Sequence, residues 1–185
     1  NWVTPYVMHP SNAQTLLVGK SGLYRTIDGG TNWTTLGAIA GSGNVCAIAY
    51  APSNPNIIYV ARTNTIHVST NGGTSFTNIT TGLPNLNITY IAVSNTDPNK
   101  VYVTYSGYTA ASKVYMSTNG GTSWTNYSTG LPNLPVNCIV YENNSSDGVY
   151  VGTDVGVYYR NSGLGSWTSF SNNLPNVIVD ELEIQ

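Results

Sequence analysis

Short apolar runs alternate with clusters of turn-forming residues along the chain. The most regular runs lie at residues 2–8, 45–50, 88–93 and 136–141, and each is followed by a cluster of Pro, Asn, Ser or Asp. Runs of this length that end in such clusters are typical of β-strands, because Pro removes a backbone donor and Asx side chains satisfy the turn locally. The pattern predicts an all-β chain in which these four runs are equivalent strands.

A glycine-containing motif recurs between the runs. It occurs at residues 26–33 (TIDGGTNW), 69–76 (STNGGTSF) and 117–124 (STNGGTSW), and a degraded fourth copy ends at Trp167. The closing aromatic residues are 43, 48 and 43 residues apart. This period is the length of one four-stranded propeller blade, so the repeat predicts a β-propeller of antiparallel blades.

The repeat also predicts how the chain is divided. We expect one partial β-propeller domain over 1–185, with blades at about 1–43, 44–86, 87–134 and 135–176 and with 177–185 as the inner strand of a following blade. An open arc leaves two blade faces uncovered. We therefore expect the chain to pair with missing blades of a longer parent or with a second copy of itself.

Each motif is predicted to form a tight turn before the fourth strand. Its Asp or Asn can accept bonds from the turn's backbone, its glycines can adopt positive φ, and its aromatic residue can pack back on the blade. These structural positions are Asp28, Gly30, Trp33, Asn71, Gly73, Phe76, Asn119, Gly121, Trp124 and Trp167.

Motifs of this kind at blade spacing resemble the Asp-box (BNR-repeat) β-propellers, which include sialidases, xyloglucanase-type glycoside hydrolases and sortilin-type receptor domains. Residues 93–100 (VSNTDPNK) and 152–158 (GTDVGVY) look like the C-terminal, glycosyl-hydrolase-like propeller of large secreted Bacteroidetes proteins. The resemblance implies that the boxes are structural and lie on outer turns, away from the central site.

The composition narrows the possible functions. Only 8% of residues are charged, the net charge is −2, and the six Lys and Arg residues are scattered. This distribution excludes a nucleic-acid footprint, and no run reaches the roughly 20 apolar residues of a membrane span. A neutral surface rich in Asn, Thr, Ser and Gly, together with the lack of an initiator Met, favours a mature or excised piece of a secreted or cell-surface bacterial protein.

Cys46 and Cys138 are expected to be unpaired buried thiols, since they lie on inner strands of non-adjacent blades.

Catalytic chemistry has few candidates. A sialidase needs an arginine triad, but the chain has only Arg25, Arg62 and Arg160, two of them beside boxes. A glycosidase needs two carboxylates roughly 5 to 10 Å apart across a cleft. Asp154 and Asp180 form the one pair that the pattern places near the axis. No His, Cys or glycine-loop pattern predicts a metal site or a cofactor.

The third repeat contains five extra residues, within 105–112, between its second and third strands. Propeller ligand faces are built partly from such connections, and exposed tyrosines stack on sugars and on protein partners. We expect ligand contacts from Tyr105 and Tyr108 and, in the equivalent connections, from Arg62, Asn64 and Asp154. The sequence thus favours a non-catalytic binding or scaffolding module that engages a glycan or a protein. A xyloglucanase-type hydrolase completed by missing blades or another domain, and a structural spacer that binds nothing, remain open.

Overall fold

Residues 4–184 are described by a computed structural model and form sixteen β-strands in four sheets. The first sheet contains β1 (Tyr6–His9), β2 (Asn12–Gly19), β3 (Leu23–Thr26) and β4 (Thr34–Thr35). The second contains β5 (Val45–Tyr50), β6 (Ile58–Arg62), β7 (Thr65–Ser69) and β8 (Thr77–Asn78). The third contains β9 (Ile88–Val93), β10 (Val101–Tyr105), β11 (Val114–Ser117) and β12 (Thr125–Asn126). The fourth contains β13 (Val136–Tyr141), β14 (Val149–Thr153), β15 (Gly156–Arg160) and β16 (Thr168–Ser169).

Every sheet is an antiparallel meander whose four strands follow chain order. The prediction of an all-β fold built from four-stranded antiparallel blades is therefore confirmed. Trp2 and Val3, at the start of the first predicted run, lie outside the described residues. No helix within 4–184 is long and apolar enough to cross a membrane.

The core lies between consecutive blades. Three hydrophobic clusters fill the spaces between blades 1 and 2, blades 2 and 3, and blades 3 and 4. Leu17, Tyr59 and Tyr102 hold equivalent positions on the second strands of blades 1, 2 and 3, and all three are fully buried. Among the described residues, no such cluster joins blade 4 to blade 1, so the blades form an open arc.

The strand pairing shows which connections lie at each end of the blades. Val45, which begins an inner strand, pairs with Arg62 at the end of the second strand, and Val136 pairs with Thr153 in the same way. The linkers into inner strands and the connections from second to third strands therefore share one end, which we call the loop face. The boxes and the turns from first to second strands share the other end.

The boxes are held by one repeated set of hydrogen bonds. In the second box the Ser69 hydroxyl donates to Asn71 Oδ1 at 2.9 Å and accepts the Gly73 backbone N–H at 2.8 Å. Asn71 Oδ1 also accepts the Ser75 backbone N–H at 3.0 Å. Thr26 with Asp28 and Ser117 with Asn119 make the same bonds in the other two boxes. These bonds satisfy the turn's polar groups and hold its glycines at positive φ.

The box tryptophans of blades 3 and 4 link each of these blades to the one before it. Trp124 Nε1 donates to the Ile79 carbonyl at 2.8 Å, and Trp167 Nε1 donates to the Tyr127 carbonyl at 2.6 Å. Each acceptor lies in the preceding blade, directly after its fourth strand. The predicted packing of these rings thus extends beyond their own blade and fixes the position of its neighbour.

Residues 177–184, which we call the tail, differ from the prediction. The sequence pattern assigns them to an inner strand, but the described part of the tail forms no strand. An inner strand is stabilised by pairing with the second strand of its own blade, and residues 177–184 have no such strand beside them. Gln185 lies outside the described residues.

Asp28 predicts a pH dependence of folding stability. The backbone N–H of Asn32, then its side-chain amide and the Thr26 hydroxyl, lower the pKa of Asp28 from 3.8 to about 2. A carboxylate with a depressed folded pKa stabilises the fold above its unfolded pKa, and this contribution is lost as the pH falls through the folded pKa. We expect the urea midpoint to fall between about pH 4 and pH 2, and part of that fall to be absent in Asp28→Asn.

The second and third boxes already use Asn at this position, so Asp28→Asn is expected to keep the turn. Urea unfolding at a series of pH values, with wild type and variant side by side, measures the difference. Identical pH profiles for the two proteins would show that Asp28 does not contribute.

Candidate functional site

The inner strands share an irregularity where they reach the loop face. β5, β9 and β13 each contain a β-bulge directly after their first residue. The extra residue is Cys46 in β5 and Asn137 in β13. Bulges re-aim side chains at the rims of sheets and occur often beside functional sites, so this end of the arc is the candidate site.

Side chains at the bulges bind the next inner strand. Thr89 Oγ1 donates to the Val136 carbonyl at 2.6 Å, and Cys46 Sγ lies 3.5 Å from the Ile88 carbonyl. Each acceptor belongs to the first residue of the following inner strand. The bulge side chains therefore set the spacing of the strands around the axis.

The two cysteines are free, and their environment makes their thiols unreactive. Burial raises the pKa of the Cys46 thiol to about 11 and that of the Cys138 thiol to about 12. Both groups stay protonated at neutral pH, and a thiol is a poor nucleophile and metal ligand compared with a thiolate. Their role is in packing and in weak contacts to backbone carbonyls.

The tail occupies the position at which a fifth inner strand would begin. The Val179 N–H donates to the Thr153 carbonyl at 3.0 Å. Val45, which begins β5, makes the same bond to the Lys20 carbonyl at 2.8 Å. Ile88, which begins β9, donates to the carbonyl of Thr63, one residue further along its connection, at 2.6 Å. The start of the tail therefore docks on blade 4 as Val45 docks on blade 1, although the tail forms no strand.

Gly152 leaves the space in which Val179 of the tail packs. A Cβ at Gly152 would lie 2.7 Å from both Val179 Cγ1 and the Val179 carbonyl oxygen. Gly19, the equivalent residue of blade 1, would bring a Cβ within 2.5 Å of Val45 Cγ1. In both places the missing side chain admits a valine from the next segment of chain.

A second contact holds the tail near the axis. The Tyr90 hydroxyl, on the inner strand of blade 3, donates to Glu181 Oε1 at 2.8 Å. Burial and this carboxylate raise the pKa of Tyr90, so its hydroxyl keeps the proton that it donates. Sequence analysis missed this pair because the residues are 91 positions apart and match no motif.

Arg62 lies at the loop face, and both terminal nitrogens of its guanidinium bond backbone carbonyls, whereas its buried Nε has no partner among the described residues. Its guanidinium donates to the carbonyls of Gly41 and Gly43 at 3.0 and 3.3 Å, and also to the Ser21 carbonyl. The side chain is buried. Arg62 thus pins the linker into blade 2 against blade 1.

The remaining predicted contact residues have different environments. Asn64 donates to Asn85 Oδ1 and is half-buried. Contrary to the expectation of an exposed ring, Tyr105 is completely buried and packs edge-on against Tyr115 with 5.7 Å between ring centroids. Tyr108 is exposed on the inserted loop. Of the two predicted tyrosines, Tyr108 alone offers its ring to a ligand.

Lys113 anchors the inserted loop, and sequence analysis did not identify it. Its side chain is buried, and Nζ donates to the Gly107 carbonyl at 2.7 Å. Burial lowers the pKa of this amine. The contact ties the end of the insertion to its start and leaves Tyr108 at the exposed tip.

The two candidate carboxylates are not equivalent. Asp154 accepts a bond from Asn137 Nδ2 at 3.1 Å and is half-buried. Asp180 lies in the tail and is exposed. Asp154 is therefore held by a neighbouring inner strand, whereas the position of Asp180 depends on how the tail is docked.

The titratable groups that the structure describes do not assemble into a metal site. Within residues 4–184, no three His, Cys, Asp or Glu side chains are grouped as metal ligands would be. His67 is buried without a hydrogen-bond partner for either ring nitrogen, and burial lowers its pKa. It is a packing residue at the third-strand position that Tyr24, Tyr115 and Tyr158 occupy in the other blades.

Solved structures with this fold include enzymes and a binding protein. An ancestral GH74 enzyme is 27% identical with a TM-score of 0.72, over 90% of this chain and 23% of the enzyme. The GH74 xyloglucanase from Xanthomonas campestris is 18% identical with a TM-score of 0.69, over 89% of this chain and 29% of the enzyme. YCF48 bound to D1 peptide is 14% identical with a TM-score of 0.64, over 89% of this chain and 53% of YCF48.

The chain thus spans about a quarter of the GH74 enzymes and about half of YCF48. No curated protein sequence matches it. The family model named Sortilin-Vps10 (sortilin, neurotensin receptor 3) matches residues 8–174, which cover all four blades. The suspected Asp-box propeller relationship is confirmed, and the chain belongs to the Sortilin-Vps10 family.

Proposed function

We propose that this chain is a non-catalytic binding module that engages a glycan or a polypeptide through its loop face. The observation that carries the proposal is that three polar side chains on this face form hydrogen bonds within the protein. Arg62 holds three backbone carbonyls, Asn64 holds Asn85, and Asp154 is held by Asn137. Such a face is rigid and nearly neutral, which suits recognition better than proton transfer.

The arrangement of acids supports binding over hydrolysis. A glycosidase positions one carboxyl group as a general acid and a second as nucleophile or base. Here Asp154 is fixed beside Asn137, while Asp180 is exposed on a tail held by few contacts. Glu181 is bonded to Tyr90. None of these groups forms a rigid facing pair.

The inserted loop provides the most accessible contact. Tyr108 is exposed on a loop that Lys113 closes at its base. An exposed aromatic ring on a constrained loop can stack on a sugar ring or on a peptide side chain with little loss of conformational entropy. YCF48, whose propeller has the same fold, is bound to D1 peptide, which supports polypeptide recognition by this architecture.

We also propose that the module works in a secreted or cell-surface protein. The support is compositional: 8% charged residues and a surface rich in Asn, Thr and Ser. A nearly neutral surface avoids nonspecific attraction to nucleic acid or to anionic lipid.

Binding at the inserted loop can be tested with two probe sets. Xyloglucan oligosaccharides and a library of immobilised peptides are applied to the purified chain, and each hit is measured by titration calorimetry. We expect one set to bind and Tyr108→Ala to weaken that binding by about ten-fold, since removing a stacked ring removes roughly 1 to 3 kcal/mol.

Phe170→Ala is the matched control, because Phe170 is an exposed aromatic residue outside the inserted loop. Binding that Tyr108→Ala leaves intact would remove the loop from the site. No binding to either probe set would favour a structural spacer.

A glycoside hydrolase of the GH74 type is the second candidate. It is favoured by the 27% identity to an ancestral GH74 enzyme over 90% of this chain. In this case Asp154 and Asp180 would be the acid pair, with the cleft completed by other blades or another domain. The role of Asp180 would then require the tail to be docked.

Release of reducing sugar from xyloglucan by the intact parent protein, in which the cleft is complete, decides between the two candidates. The binding proposal expects no release, or release that survives both Asp154→Asn and Asp180→Asn. Activity that is lost in both Asp154→Asn and Asp180→Asn, with unchanged circular dichroism, would establish the hydrolase instead.

A further inference from the structure

A pocket lies between blades 1 and 2, at the end of the blades that carries the boxes. Its volume is about 180 Å³. We call it the Arg25 pocket. Among the described residues that border it, none is Asp or Glu. The residues that decide its chemistry come from both blades: His9, Thr15 and Arg25 from blade 1, and Tyr50, Asn56 and Gly72 from blade 2.

Arg25 brings to this pocket a positive charge that the described protein does not neutralise. Its Nη1 donates to the Gly72 carbonyl at 3.1 Å, whereas its buried Nε has no hydrogen-bond partner among residues 4–184. The one ion pair that the described residues form joins Lys100 to Asp147, so no described carboxylate is paired with Arg25. A half-buried charge without a counter-ion is unfavourable, and an anion bound beside it would offset that cost.

Two further side chains of the pocket can donate hydrogen bonds. Tyr50 is buried, and its hydroxyl makes no hydrogen bond within the described part of the chain. His9 Nδ1 accepts the Ser11 backbone N–H at 3.2 Å, so Nε2 carries the proton of the neutral ring. The His9 and Tyr50 rings pack edge to face, with 5.1 Å between their centroids. A cation grouped with such donors favours an anion as the ligand.

The space between blades 3 and 4 contains a carboxylate held by groups of the same kind. Asp147 Oδ2 accepts a bond from Lys100 Nζ at 2.7 Å, and Asp147 Oδ1 accepts a bond from the Tyr141 hydroxyl, also at 2.7 Å. Lys100 belongs to blade 3, whereas Tyr141 and Asp147 belong to blade 4. A cation of one blade and a tyrosine of the next blade thus hold a carboxylate between them.

The strand pairing aligns this arrangement with the Arg25 pocket. Tyr50 and Tyr141 are equivalent, since each pairs with the first residue of the second strand of its blade. Asn56 and Asp147 are equivalent, since each lies two residues before that second strand. The Arg25 pocket therefore has a cation and the tyrosine, but an amide stands where blade 4 has its carboxylate.

We propose that the Arg25 pocket binds the carboxylate group of a small ligand. This carboxylate lies between Arg25 and Tyr50 as the Asp147 side chain lies between Lys100 and Tyr141. Pockets for drug-sized ligands have volumes of roughly 300 to 1,000 Å³, so a volume of about 180 Å³ limits the ligand to a small acid. The pocket lies at the end opposite to the loop face, and its ligand does not depend on the binding proposed for that face.

The chain itself suggests three variants that test this assignment. Arg25→Met removes the cation, and Met116 already occupies the equivalent position of blade 3. Asn56→Asp places a carboxylate of the protein where blade 4 has Asp147. Asn99→Asp is the matched control, since Asn99 lies two residues before the second strand of blade 3, where Val93 replaces the tyrosine.

NMR titration with acetate at constant ionic strength measures the binding. We expect saturable shifts of the Gly72 and Tyr50 backbone N–H signals. The dissociation constant is expected to rise at least about ten-fold in Arg25→Met and in Asn56→Asp, and to stay unchanged in Asn99→Asp. Asn56→Asp is also expected to raise the urea midpoint, because its carboxylate pairs with Arg25. Circular dichroism checks folding, and Asn56→Asp decides the test if Arg25→Met does not fold.

Parallel titrations define the ligand class. Glucuronate that binds more tightly than acetate would assign the carboxylate to an acidic sugar, and acetate that binds as well or better would assign it to a simple acid. Phosphate that binds as tightly as either carboxylate would overturn the proposal. The absence of saturable shifts with both carboxylates, or acetate binding that survives Asn56→Asp, would also overturn it.

Discussion

The blade-to-blade joint is the contact on which the rest of the structure depends. Between blades 2 and 3 it packs Ile79 against the box glycine Gly121 and bonds the Trp124 ring N–H to the Ile79 carbonyl. The other two joints each use one of these contacts: Leu36 packs at Gly73 between blades 1 and 2, and Trp167 bonds the Tyr127 carbonyl between blades 3 and 4. Each blade is one repeat unit that cannot bury its apolar faces alone, so it needs packing on a neighbour. The joint therefore determines both the stability of the arc and the geometry of its loop face.

The sequence predicts the fold well because the repeat is local. The boxes, their spacing and the alternating apolar runs follow from neighbouring residues, and the sheets form where these patterns predict them. What alignment cannot supply is the partner of each position across the joint, as the reach of Trp124 into the preceding blade shows.

The candidate site was predicted less completely. Aligning the connections places Arg62, Asn64 and Asp154 on one face, but their internal hydrogen bonds depend on loop conformations that no pattern encodes. Tyr105 was assigned to the inserted loop, yet it continues the second strand and is buried. The bond between Tyr90 and Glu181 joins residues 91 positions apart that match no motif, so it depends on where the tail docks.

The most direct test of the central claim compares Gly121→Ala with Gly82→Ala by urea unfolding. Both glycines have positive φ, near +90°. A Cβ at Gly121 would collide with Ile79, whereas a Cβ at Gly82 would have no described atom within 4 Å. We expect Gly82→Ala to lose about 1 kcal/mol from its backbone conformation, and Gly121→Ala to lose about 2 to 4 kcal/mol because the joint is also overpacked. Equal losses in the two variants would contradict the claim that the arc depends on these joints.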